Sequence, residues 1–147
     1  MSIFQNIFSF DYTWTCFYRE VETVSNIFAW MMSSLDDQAY TDEENPTVYN
    51  RVMEMYHAGT DKASQVRIAN GMVDPDSCLH CVVATIAFGL GINLPDVEYV
   101  FHWGASADIM SYWQEVGRCA RYGRSGKAIL YIFPKISGQA QGRRKVS

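Results

Sequence analysis

The 147 residues are 48% apolar and 14% aromatic, which suits one globular domain and excludes a disordered, collagen-like or purely coiled-coil chain. At this length a fold buries roughly 68–70% of the surface its unfolded chain exposes, so stability needs no disulfide or metal staple. The formal net charge of −4 taken alone argues against a polyanion partner, but it averages two unlike stretches: residues 1–113 carry 15 acidic and 4 basic groups (net −11), residues 114–147 carry 1 acidic and 8 basic groups (net +7).

The four cysteines (Cys16, Cys78, Cys81, Cys119) make a poor disulfide framework and point to a reducing compartment. Residues 1–10 lack the basic start and small-residue cleavage site of a secretory leader. No apolar run reaches the 18 or more residues of a membrane span. The expectation is a soluble intracellular protein without a membrane partner.

Thr13 to Tyr18 is a β-branched and aromatic run that reads as a strand. Apolar residues at Val21, Val24, Ile27, Phe28, Met31, Met32 and Leu35 have the spacing of an amphipathic helix. From Asp36 to Pro46 the chain is acidic, polar and aperiodic, an expected loop or insertion. Val52 to Tyr56 reads as a second strand, and Thr60 or Asp61 can cap a helix running to about Met72. Asp74-Pro75-Asp76-Ser77 is a turn.

Cys81 to Thr85 is continuously apolar, as in a strand buried on both faces. Ala87 to Asn93 is glycine-containing and permits turns or close approach of a ligand. Val97 to Trp103 predicts a strand, Ala107 to Cys119 a helix, and Ala128 to Phe133 a last strand. Strands alternating with helices predict an α/β fold built on a parallel sheet, whose ligands bind beyond the carboxyl ends of the strands. Arg19, Thr85 to Asn93 and Trp103 to Ser106 are expected there.

Gln114 to Arg124 is the most informative stretch. Arg118 and Arg121 are three apart, so on a helix or its fraying end both guanidiniums project from one side, offering two donor forks to phosphate oxygens. A solvated basic helix end, favourable to the helix dipole, accounts for the same pattern.

Tyr56-His57-Ala58-Gly59, Val82-Val83-Ala84-Thr85-Ile86-Ala87-Phe88-Gly89-Leu90-Gly91-Ile92-Asn93, His102-Trp103-Gly104 and Ser111-Tyr112-Trp113-Gln114-Glu115-Val116-Gly117-Arg118, in that order and spacing, resemble the second motor domain of RecQ-type superfamily 2 DNA helicases. The resemblance is dense from about Met55 to Pro134 and looser from Thr13 to Leu35. It implies a single RecA-like α/β domain over residues 13–134, with an N-terminal extension (1–12), an acidic loop (36–46) and a basic tail (135–147). It also implies that Arg121 is the arginine finger and Arg118 its companion, stabilising charge on a transferred γ-phosphoryl group. By the same resemblance Gln114, Gly117, Gly89, Gly91 and Asn93 face ATP, and Thr85, His57 and Arg19 contact DNA phosphates, which fix position and carry no base information.

The partners so implied are DNA, ATP with Mg²⁺, and a first motor domain that would hold the triphosphate cradle, because these residues contain no Gly-x-x-x-x-Gly-Lys-Ser/Thr loop. Gly123 to Ala128 fails its spacing, and Asp42-Glu43-Glu44-Asn45 lies in a polar loop rather than at a strand end. Ala120 and Tyr122 stand where the family usually carries Gly and Asp, which removes a carboxylate that would orient an arginine. Implied activity is 3′–5′ ATP-dependent unwinding, in the nucleus or on chromosomes of a eukaryote and otherwise in the cytoplasm, with the isolated chain inactive. A degenerate module that binds nucleic acid or protein without hydrolysis is the alternative.

Other features have plainer readings. Cys78-x-x-Cys81 has zinc spacing with His80 between, but no second pair completes four ligands, so no zinc is expected. His57 reads as a satisfied turn histidine more readily than as a direct DNA ligand. Trp14 and Trp30 lie on apolar faces and are expected in the core, whereas Trp103 keeps a chance of stacking on bases. Gly142-Arg143-Arg144-Lys145 reads as a solvated end.

Overall fold

The computed structural model describes residues 13–89, 97–119 and 125–132. Five strands, β1 (Trp14–Phe17), β2 (Met53–Tyr56), β3 (Cys81–Ala84), β4 (Tyr99–Trp103) and β5 (Lys127–Tyr131), form one sheet in the order β2-β3-β1-β4-β5. All neighbours are parallel, with Trp14 level with both Cys81 and Tyr99. β1 and β3 are buried along their whole length, as their unbroken apolar runs require, because a parallel sheet is covered on both faces.

Alternation divides the side chains between two cores. On one face Trp14, Cys16, Met53, Cys81, Val83 and Phe101 pack against Val24, Met31 and Leu35 of helix α1 (Val21–Leu35). On the other, Phe17, Tyr56, Val82, Ala84 and Val100 pack against Ile68 and Met72 of helix α2 (Lys62–Val73) and against Phe88. Asp61, not Thr60, caps α2, its side chain accepting from the Ser64 N–H. Thr60 instead accepts from the His57 N–H at 3.0 Å.

Several sequence expectations need correction. The helix expected over residues 107–119 is α3 (Ile109–Val116). Asp108 fixes its start by accepting from the Ser111 N–H at 2.9 Å, and it ends at Gly117, where an added Cβ would lie 2.9 Å from the Trp113 carbonyl oxygen. The acidic segment after α1 is not wholly irregular: Asp36–Ala39 is a 3₁₀ turn with Ala39 buried, and Tyr40 bridges Arg51. Trp30 is 53% exposed rather than in the core. It lies at the mouth of an apolar cavity over Trp14, Phe101, Trp103 and Tyr131, where α1 gives way to the edge of the sheet.

Burial sets the chemistry of the thiols. It pushes Cys16 up to about 12, and burial together with the neighbouring Cys16 raises Cys81 well above 9.0. Thiolate is the reactive form, so neither should react with iodoacetamide at pH 7.5 until the chain unfolds, which mass spectrometry before and after adding denaturant checks. Phe88 is fully buried with its ring 4.8 Å from Tyr56. Phe88→Ala should therefore cost about 3–5 kcal/mol in urea unfolding.

Candidate nucleotide and nucleic-acid interfaces

The carboxyl edge of the sheet is built by the loops that leave β1, β2, β3 and β4. Arg19, exposed after β1, Ile86 after β3, and Gly104, Ala105 and Ser106 after β4 line one cleft, with Phe17, His102 and Glu115 behind them. This is where the order of strands reverses about β1, the usual ligand crevice of an open α/β sheet. Gly104 has φ +94°, a conformation glycine adopts without strain, and its N–H donates to the Tyr131 carbonyl at 2.9 Å.

Three of the residues singled out for nucleic acid follow strand ends at this edge. Arg19 follows β1 and is exposed. Thr85 follows β3, is 5% exposed, and donates its N–H to the Tyr56 carbonyl. His57 follows β2 in a closed turn, where its Nδ1 accepts from the Gly59 N–H at 3.0 Å and its carbonyl from the Thr60 N–H at 3.0 Å. That pattern fixes the tautomer with the proton on Nε2. Both readings of His57 meet here: it is a satisfied turn histidine, placed at the edge where a phosphate contact was expected.

The described residues expected to face the nucleotide lie on and after α3 and in the turn after β3. Gln114 is exposed on α3, and Gly117 and Arg118 follow it. Arg118 is only 9% exposed, so it is not the solvated basic helix end allowed by the sequence. Immediately beyond, Cys119 bridges Val97 and its thiol donates to the Glu98 carbonyl at 3.3 Å, beside the start of β4. Helix α3 thus starts from the carboxyl edge, where Glu115 lines the cleft, and the chain reaches the amino edge at Cys119. Gly89 closes a 3₁₀ turn, Ile86–Gly89. Gly91, Asn93 and Arg121 lie outside the described residues.

Two buried polar clusters escaped the sequence reading. Glu115, 5% exposed, accepts from Ser106 Oγ at 2.6 Å and pairs with His102 Nε2 at 2.8 Å; His102 is 2% exposed. The signal was present, because alternation in Val97 to Trp103 puts His102 on the same inward face as Val100, and a buried imidazole needs a partner. Glu54, also 5% exposed, meets Arg67 at 2.7 Å and Arg51 at 3.5 Å, tying β2 to α2.

Cys78 Sγ donates to the Tyr49 carbonyl at 3.3 Å, and Cys81 is buried in β3, so the two thiols are engaged separately. Among the described residues no three His, Cys, Asp or Glu side chains could hold a metal, and no helix is long and apolar enough to cross a membrane.

A family model for the helicase conserved C-terminal domain matches residues 15–123. The chain belongs to the helicase C-terminal domain family. Mouse Bifunctional 3'-5' exonuclease/ATP-dependent helicase WRN is 39% identical over 85 residues, 58% of this chain and 6% of that protein. ATP-dependent DNA helicase RecQ of Haemophilus influenzae is 39% identical over 79 residues, 54% of this chain and 12% of that protein. The mimivirus protein R290, named provisionally as an ATP-dependent RNA helicase, is 39% identical over 101 residues, 69% of this chain. The match covers 18% of R290's length, so this chain spans only a small part of each of these relatives. The C-terminal domain of the DEAD-box protein Dbp5 has the same fold, with TM-score 0.64 at 18% identity over 84% of this chain and 63% of that one. The resemblance to RecQ-type helicases is thus confirmed, as is the RecA-like α/β fold.

Asp108 at the start of α3 has its carboxyl held below the ordinary 3.8 by hydrogen bonds from the Ser111 backbone and hydroxyl. A depressed folded value stabilises the fold above about 3.8 and is lost as pH falls below it through the lowered value. Asp108→Asn, which keeps a capping oxygen, should therefore flatten the acid limb of Tm against pH below about 4. Asp108→Ala should lower Tm at pH 7 by about 2–6 °C.

Proposed function

We propose that this helicase C-terminal domain is the second motor of a RecQ-like ATP-dependent 3′–5′ DNA helicase, working against a first motor domain that carries the triphosphate cradle. The observation that carries the reading is that its candidate contacts gather on the loops at the carboxyl edge and on the helix packed beside them. Arg19, His57 and Thr85 follow strand ends at that edge, as a track for a phosphodiester backbone would, Gly89 closes the turn after β3, and Gln114 lies on α3 next to Glu115, which lines the cleft with Arg19. A motor needs this proximity, since a change at the nucleotide must reach the strand held beside it.

In this reading Arg121 is the arginine finger and Arg118 its companion, both stabilising charge on the γ-phosphoryl group. Gln114, Gly117, Gly89, Gly91 and Asn93 complete this half of the ATP cleft. The donor set fits that share: it supplies guanidinium, amide and backbone donors for phosphate and ribose. It holds no carboxylate cluster for Mg²⁺ among the described residues, so the ion belongs with the opposite domain. DNA rather than RNA is the proposed track because the RecQ and Q4 relatives are named as DNA helicases.

A second reading, a degenerate binding module, is favoured by one feature only: Ala120 and Tyr122 replace the Gly and Asp usual around the finger. The two readings separate in a DNA-stimulated ATPase assay on the chain alone and mixed with a first motor domain of a RecQ-type helicase. The motor reading expects hydrolysis only in the mixture, greater stimulation by single-stranded DNA than by RNA, and a loss of about 10³–10⁵-fold with Arg121→Ala. Hydrolysis by the chain alone, or an Arg121→Ala mixture as active as the parent, would overturn it.

A further inference from the structure

The carboxylate of Glu115 is the one side chain of α3 wholly within the fold, and it joins three elements at one atom. Its Oε2 accepts from Ser106 in the loop after β4, at 2.6 Å, and meets His102 Nε2 on β4 at 2.8 Å. His102 itself is held between aromatic rings, with Phe17 at 5.9 Å and Tyr112 at 5.1 Å. With Nε2 donating to Glu115, Nδ1 is left as a lone pair without a hydrogen-bond partner. Among the described residues, the carboxylate is therefore the one hydrogen-bond partner that orients the imidazole between those rings.

A helix of eight residues with one inward polar anchor is fixed in rotation by that anchor. Successive residues are 100° apart and rise 1.5 Å, so a shift of Glu115 turns Gln114 with it. The effect continues past the helix end, because the Arg118 N–H donates to the Glu115 carbonyl at 3.3 Å and the Gly117 N–H to the Trp113 carbonyl at 2.8 Å. Gly117 cannot relax by accepting a bulkier residue, since a Cβ there would strike Trp113. The route from the buried carboxylate to the Arg118 backbone is three residues long.

We infer that Glu115 is a positioning residue for ATP hydrolysis: through Ser106 and His102 it locks α3 to β4, and so sets where Gln114 and Arg118 are presented to the nucleotide. This rests on the proposed motor function and adds to it a residue that touches neither ATP nor DNA. Misplacing a reacting or charge-stabilising group by about 1 Å can cost 10²-fold in rate, far more than the same change costs in ground-state binding.

The test is a cycle of Glu115→Ala, Glu115→Gln and Arg118→Ala in the chain assembled with a first motor domain, with kcat and KM for ATP measured under saturating single-stranded DNA. Glu115→Ala should lower kcat by about 10–100-fold with KM changed less than about threefold. Glu115→Gln, whose amide oxygen can still accept from Ser106 and His102, should recover most of the rate. In the Arg118→Ala background, Glu115→Ala should cost less than about threefold more, because the group it positions is gone. Losses that multiply fully in the double variant, or a Glu115→Gln as impaired as Glu115→Ala, would overturn the inference. If Arg118→Ala itself leaves hydrolysis unchanged, the motor reading falls with it; if only the Glu115 variants are silent, the motor reading stands without this residue. Hydrogen exchange of the 147-residue chain alone is a second measure. Glu115→Ala should raise exchange at the Gly117 and Arg118 amides at least about tenfold while leaving α2 unchanged, and unchanged protection at both amides would also count against it.

Discussion

A carboxylate buried in a small domain must be paid for in hydrogen bonds, and the way Glu115 finds them organises half of the structure. Two donors converge on its Oε2, one from a strand and one from the loop that follows it. Without them the cost of desolvating the charge would expel the residue to the surface and α3 would lose its only inward polar contact. With them, β4, the Gly104–Ser106 loop and α3 are a single unit. The other buried acid, Glu54, does the same for β2 and α2 through Arg67, so each of the two helices on this face of the sheet is tied to it by one polar contact as well as by apolar packing.

The parallel sheet then decides what such units can reach. Because every strand runs the same way, the loops after β1, β2, β3 and β4 emerge together at the carboxyl edge. A helix that follows a strand must travel back to begin the next, and α3 delivers Cys119 beside Val97. The chain stays with the carboxyl-edge loops as far as Glu115, which bonds Ser106 and His102, and crosses to the amino edge in the few residues that follow.

Much of this was legible in the residues, for identifiable reasons. The four apolar residues of β3 and the periodic face of α1 were visible because burial on two faces and on one stripe leave different patterns. The order and spacing of the motifs placed the chain with RecQ-type helicases, and the loops after β1, β3 and β4 met in one cleft as expected. The length of α3 was overestimated because after Gly117 the chain leaves the helix and pairs Cys119 with Val97, a tertiary contact that periodicity does not carry. Trp30 was misassigned because its position on an apolar stripe does not say how far the sheet beneath extends. The Ser106–Glu115–His102 cluster was missed for another reason: alternation marks His102 as inward, but its partner is 13 positions away and nothing local says which residue it is.

The acidic stretch Asp36 to Glu44 follows the end of α1, which starts after β1 and returns toward the amino edge before β2. A four-residue strand is roughly 13 Å long, so these carboxylates are separated from the carboxyl edge by more than the Debye length of about 8 Å at physiological ionic strength. Of the acids that do lie near that edge, Asp61 and Asp108 face the N–H groups at the starts of α2 and α3, where helix dipoles offset their charge. Glu22 is in the first turn of α1 and is offset in the same way. The net −11 of residues 1–113 is therefore not a field that repels a polyanion from Arg19 and His57. Its largest cluster is remote and screened, and three further acids, Glu22, Asp61 and Asp108, stand at helix starts.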